Sequence, residues 1–119
     1  MSSESLADAG PFVLAAWETR GQVEFARVDP RDGSVSTPVT PPGRAGERKH
    51  PAVAANARGE TLLAWTEGTG WQKGGSLVWQ VFDRDGRPTD EKGRVRNGIP
   101  VWGLPTVVAR PDGGFTVIH

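Results

Sequence analysis

The chain carries the stretch Pro51-Ala-Val-Ala-Ala-Asn-Ala-Arg-Gly-Glu-Thr-Leu-Leu-Ala-Trp65 and, 54 residues later, the stretch Pro105-Thr-Val-Val-Ala-Arg-Pro-Asp-Gly-Gly-Phe-Thr-Val-Ile-His119. The two stretches align without a gap. The identical positions are Pro51/Pro105, Val53/Val107, Ala55/Ala109 and Gly59/Gly113. A repeat at a period of roughly 20–50 residues is typical of proteins that stack one small structural unit. We therefore interpret the chain as tandem copies of such a unit.

Other segments follow the same repeat. Gln22–Asp29 aligns with Ser76–Asp83 at the same spacing, and each segment runs on into an Asp-Gly sequence. Part of the unit occurs a third time, because Pro11–Trp17 resembles Gly59–Trp65 and both segments end in tryptophan. The repeat thus extends over most of the chain.

The composition favours short strands joined by tight turns. Sixteen glycines and ten prolines among 119 residues suit an all-β protein better than a helical one. Turn sequences with glycine predict hairpin turns at 29–33, 56–59, 83–86 and 110–113. Enrichment in β-branched and aromatic residues predicts strands near 11–18, 22–29, 34–40, 51–57, 60–67, 76–83, 92–97, 101–109 and 114–119. Residues 1–9 are expected to be a loose N-terminal lead-in.

Several of the predicted strands are almost continuously apolar. Phe12–Trp17, Thr61–Trp65 and Pro105–Ala109 lack the alternation of apolar and polar residues that a sheet with one solvated face would show. Both faces of these strands are therefore expected to be covered. Small antiparallel sheets that stack on one another like propeller blades satisfy this requirement.

The order of these features resembles the repeat of bacterial sialidase-like (BNR-type) β-propellers. The shared features are Pro-x-Val-Ala, a turn with glycine, an apolar strand that ends in tryptophan, and a strand that leads into an Asp-Gly turn. The resemblance implies an all-β fold of antiparallel four-stranded blades, with about two to two and a half blades per chain. It covers residues 10–119, with repeat copies at approximately 11–64 and 65–119.

The resemblance covers the blade repeat and does not include the catalytic features of sialidases. The Ser-x-Asp-x-Gly-x-Thr-Trp box of many sialidases is absent, and the chain has no tyrosine to act as the nucleophile that the family uses. No catalytic residue is therefore predicted, and we expect a non-catalytic binding or assembly module. Two alternatives stay open: a fragment of a sialidase-like glycoside hydrolase, and an engineered self-assembling blade fragment.

The candidate ligand-binding residues lie in two loops. Trp71, Gln72 and Lys73 belong to the glycine-rich segment Gly68–Gly75, which is inserted in only one copy of the repeat. Loops carry binding functions more often than strands do, and an indole can stack on a sugar ring or another flat ligand. Trp102 lies in the segment that leads into the last repeat and is the second candidate. The remaining tryptophans are predicted to pack in the core: Trp17, Trp65 and Trp79.

Charge and composition restrict the possible partners. Fourteen basic and fourteen acidic residues cancel, which argues against nucleic acid and membrane partners. The chain has no cysteine, and no histidine pattern indicates a metal site, so neither a metal nor a cofactor is expected. The expected partner is a second copy or the remainder of a longer propeller, with a glycan as a possible ligand. No signal peptide is recognisable and the compartment stays undetermined; an exported parent chain would place it outside the cytoplasm.

Overall fold

A computed structural model describes residues 4–119, and these residues form antiparallel β-strands with no helix. The all-β prediction is therefore confirmed, and no helix able to cross a membrane occurs within this range. The strands are β1 (Glu4–Ala9), β2 (Phe12–Thr19), β3 (Gln22–Val28), β4 (Arg48–Ala55), β5 (Thr61–Glu67), β6 (Gly75–Phe82), β7 (Pro88–Ile99), β8 (Thr106–Ala109) and β9 (Phe115–Ile118).

The strands form three sheets whose members follow one another in the chain. The first sheet has the order β1-β2-β3, the second β4-β5-β6-β7 and the third β8-β9. Within each sheet, consecutive strands are joined as hairpins, as expected for a meander of short antiparallel strands. Each sheet is therefore a local unit, and the chain moves to the next sheet only after finishing the previous one.

Three predicted segments differ from expectation. Of the strand predicted at 101–109, only Thr106–Ala109 forms, because residues 101 and 102 lie in a turn closed by the Gly103 N–H and the Pro100 carbonyl. The N-terminal segment is a strand from Glu4 to Ala9, paired along its whole length with β2, where a loose lead-in was expected. Residues 34–40 form no continuous strand; they touch the edge of β3 through isolated bridges from Val35 to Val28 and from Val39 to Phe25.

The repeated sequence forms a repeated structure. Ala55 pairs with Thr61 in the β4–β5 hairpin, and Ala109 pairs with Phe115 at the matching place in the β8–β9 hairpin. All four predicted turns are present. Each is closed by a backbone bond from its glycine N–H, and each glycine has positive φ: Gly33, Gly59, Gly86 and Gly113. The two repeat hairpins also touch, because the Asn56 side-chain amide donates to the Gly113 carbonyl over 2.9 Å.

The main core lies between the first and second sheets. Phe25 of β3 meets Phe82 of β6 edge to face, with ring centroids 5.0 Å apart. Burial of one such aromatic side chain stabilises the fold by about 1.5–3 kcal/mol. The cluster also includes Leu14, Ala16, Val23, Val53, Leu63, Trp65 and Val78.

The opposite face of the second sheet packs against the third sheet. Ala64 and Leu77 are buried there with Ile99, and Val107 and Val117 pack on them from β8 and β9. All residues of β5 except the last are buried, so this strand is covered on both faces, as its apolar sequence predicted. Trp65 is buried and Trp79 is partly buried in these two layers.

Trp79 fits into the second sheet because its neighbour on β7 is a glycine. The indole lies over Gly93, and a β-carbon at that position would collide with the Trp79 ring. We expect Gly93→Ala to lower the free energy of unfolding by about 1–3 kcal/mol, because the ring must move out of its packed position. Chemical unfolding followed by near-UV circular dichroism measures this loss.

Gly70→Ala is the matched control for this substitution. Gly70 has open space at the β-carbon position and no positive φ. The free energy of unfolding of Gly70→Ala is therefore expected to lie within about 0.5 kcal/mol of that of the original chain. Equal stability of the two variants would contradict the packing of Trp79 against Gly93.

Candidate functional site

The first loop of the candidate site connects β5 to β6 and folds into a tight turn. Gly70 and Lys73 exchange two backbone hydrogen bonds, Gly70 N to Lys73 O at 3.2 Å and Lys73 N to Gly70 O at 3.0 Å. Trp71 and Gln72 are therefore the two central residues of the turn. Gln72 has a φ of 52°, a left-handed conformation that non-glycine residues seldom adopt.

The second loop connects β7 to β8 and contains a similar turn. The Gly103 N–H donates to the Pro100 carbonyl over 2.8 Å, which places Val101 and Trp102 at its centre. Trp102 has a φ of 66°, which is strained for a bulky side chain. The two loops touch, because a β-carbon at Gly74 would strike the backbone carbonyl of Ile99.

The two turns bring Trp71 and Trp102 into contact. Their ring centroids are 5.2 Å apart, and the ring planes are nearly perpendicular at 85°. Both residues are nevertheless largely in solvent, with 79% of Trp71 and 72% of Trp102 exposed. Leu104 is exposed beside them. We call Trp71, Trp102 and Leu104 the aromatic corner.

A cavity of about 430 Å³ opens at the aromatic corner. Its polar lining includes Lys49 and His50 from β4, Thr69 from the first loop, and Lys73 from the turn. Among residues 4–119, no carboxylate lines this cavity. Burial, together with the positive charge of Lys49, lowers the pKa of His50, which favours its neutral form. The site thus offers indole and aliphatic surface with hydrogen-bond donors at its rim.

A second groove, of about 350 Å³, leads away from the aromatic corner. It is lined by the first strand of every sheet, namely β1, β4 and β8. His50 and Leu104 line both this groove and the cavity at the corner. The aromatic corner therefore lies at the mouth of a groove to which all three sheets contribute.

The structure brings together three of the four residues singled out from the sequence. Trp71, Trp102 and Lys73 line one cavity, whereas Gln72 occupies the turn and does not line it. Sequence reasoning missed Lys49, His50 and Leu104. No sequence pattern marks these residues, because they reach the site only when β4 and the β7–β8 connection are folded beside the glycine-rich loop.

Among residues 4–119, no group of three or more His, Cys, Asp or Glu side chains is placed to hold a metal ion.

Comparison with protein-family models, curated proteins and solved structures found no match to this chain. The geometry of the site is therefore the basis for a functional assignment.

The left-handed conformation of Gln72 predicts a stability gain on substitution. Glycine adopts positive φ without steric cost, so we expect Gln72→Gly to raise the free energy of unfolding by about 0.5–1 kcal/mol. Thermal unfolding measures the gain. Lys73→Gly is the matched control, since Lys73 has no positive φ; a similar gain for both variants would show that the turn is not strained at Gln72.

Proposed function

We propose that this chain is a non-catalytic binding and assembly module of the sialidase-like β-propeller type, and that its aromatic corner binds a glycan. The observation that carries the proposal is the exposed Trp71–Trp102 pair, assembled from two separate loops. Large apolar side chains held together in solvent are typical of interaction sites. Strained backbone at Gln72 and Trp102 supports the same interpretation, because such conformations cluster at functional sites.

A sugar ring matches the chemistry of this corner. One face of a sugar ring carries C–H groups that pack on an indole, and its hydroxyl groups need hydrogen-bond partners at the edge of the aromatic surface. Lys49, Thr69 and Lys73 provide such groups around the cavity. A cavity of about 430 Å³ is also within the usual size of small-ligand sites, roughly 300–1,000 Å³.

The sheets have features expected of propeller blades. The second sheet has four strands, and the first has three strands with residues 34–40 bridged to its edge. The β8–β9 hairpin corresponds to the first two strands of a third blade. In a propeller the first strands of all blades surround one axis. The groove lined by β1, β4 and β8 supports this arrangement.

Assembly is the second part of the proposed function. A groove of about 640 Å³ lies beside the contact of β6 and β7 with β9, and Trp79 and Phe115 line it. Val108 and Ile118 expose apolar surface on the third sheet. A neighbouring blade from a second copy would cover these surfaces in the way that the first sheet covers the second.

Glycan binding can be tested on an array. We expect the original chain to bind a subset of glycans, and Trp71→Ala and Trp102→Ala each to weaken binding at least about 10-fold, since buried tryptophans often dominate the energy of an interface. Titration of a bound glycan, followed by tryptophan fluorescence, measures the affinity. Each variant removes one indole of the pair.

Val35→Ala is the control for this experiment. Val35 is an exposed apolar residue bridged to the edge of the first sheet, and it does not line the cavity at the corner. The Val35→Ala variant is expected to bind glycans as tightly as the original chain does. Unchanged glycan signals from both tryptophan variants would remove the aromatic corner from the site.

The mass in solution tests assembly. At micromolar concentration we expect native mass spectrometry to give a multiple of the single-chain mass. The double variant Val108→Asp, Ile118→Asp is expected to give the mass of a single chain, because a buried unpaired charge opposes association. The matched control is Val35→Asp, which adds a charge at an exposed position bridged to the edge of the first sheet. A folded monomer for the original chain would contradict assembly of copies.

A further inference from the structure

Another cavity, of about 560 Å³, is lined by the loop that carries Pro42 and Gly43 and shares no lining residue with the cavity at the aromatic corner. Four cationic side chains line it: Arg44, Arg48, Lys92 and Arg94. We call this cavity the cation pocket. Glu67 is the one carboxylate among its lining residues, so positive charges outnumber negative ones by three.

Arg48 is the buried member of the cation pocket, with only 4% of its surface exposed. One terminal nitrogen, Nη1, donates to the Pro41 carbonyl at 3.0 Å, and the other, Nη2, donates to the Pro42 carbonyl at 2.6 Å. The guanidinium carbon lies 5.2 Å from the centroid of the Trp65 ring. Its Nε is buried and makes no hydrogen bond among residues 4–119, although it lies 3.4 Å from Glu67 Oε2.

The buried Nε of Arg48 has a long ion pair with Glu67 in place of a hydrogen bond, which leaves part of its desolvation cost uncompensated. Burial lowers the pKa of Arg48, and the nearby charge of Glu67 opposes that effect. Leaving a charged donor unsatisfied costs at least as much as an unsatisfied neutral one, and native proteins seldom tolerate it without a reason. A negative charge bound in the cation pocket would offset the incompletely compensated charge of Arg48.

Glu67 cannot neutralise the cation pocket alone. Its carboxylate already accepts from Arg94 Nη2 at 2.6 Å and from Trp65 Nε1 at 2.8 Å. Burial opposes ionisation of Glu67, but these hydrogen bonds and the two arginine charges outweigh it and lower its pKa. Arg44 and Lys92 form no ion pair in the described range. Their charges are available to a ligand.

We propose that the cation pocket binds an oxyanion with two or more negative charges, of the phosphate or sulfate class. Guanidinium groups form charge-assisted bonds to such oxygens and match their geometry. The excess of three positive charges favours a multiply charged anion over a singly charged one, and the apolar wall formed by Trp65 and Val78 reduces screening by water. This inference is independent of the proposed glycan site.

Inorganic phosphate is the probe for the test. We expect saturable binding in a calorimetric titration at constant ionic strength, with chloride as the balancing salt, and binding at least 10-fold weaker for acetate than for phosphate or sulfate. Trp71→Ala is expected to bind phosphate as the original chain does. Loss of glycan binding and loss of phosphate binding can therefore be told apart.

The double variant Arg44→Gln, Lys92→Gln tests the residues. Both side chains are exposed and unpaired, so the fold should persist, as circular dichroism checks, while phosphate affinity falls at least 10-fold. The control Arg87→Gln, Arg96→Gln removes the same charge from exposed positions outside the cation pocket and should leave affinity unchanged. Equal losses in both double variants, or no binding above the chloride baseline, would overturn the proposal.

Discussion

The structure depends on one constraint: β5, an inner strand of the second sheet, is largely apolar and is buried on both faces. Thr61–Glu67 has no face that water can cover favourably, so a layer must pack on each side of it. The first sheet supplies one layer through Phe25, and the β8–β9 hairpin supplies the other through Val117. The stacking of three sheets follows from this requirement.

The sequence was most informative where structure is set locally. The Asp-Gly and Asn-x-x-Gly turns were predictable because their residues favour one backbone geometry without help from the rest of the chain. The strand at Glu4–Ala9 was missed because its residues have low β propensity, and its conformation comes from pairing with β2. Residues 34–40 formed only isolated bridges because the register along β3 shifts by one residue between the Val28–Val35 and Phe25–Val39 pairs, where the Arg27 N–H donates to the Ser36 hydroxyl.

The sequence indicated individual residues of the candidate site but not how they are arranged in space. Trp71 and Trp102 stood out because each lies in a loop of the sequence, yet nothing in the sequence indicates that their rings meet at 5.2 Å. That contact depends on the approach of Gly74 to Ile99 and on the positive φ of Trp102. The cation pocket was missed for a similar reason: Arg44, Arg48 and Arg94 lie up to 50 residues apart and converge only when β4 and β7 are joined through β5 and β6 in one sheet.

The contacts of Glu67 fix the point at which the following loop begins. Its carboxylate is held by Arg94 and Trp65, and its backbone pairs with Arg48 on one side and Ser76 on the other. The segment that presents Trp71 therefore leaves from and returns to fixed points, and its tip is closed by its own turn. A ligand that docks on this preorganised surface immobilises few groups that were free to move, so the entropy lost on binding is small.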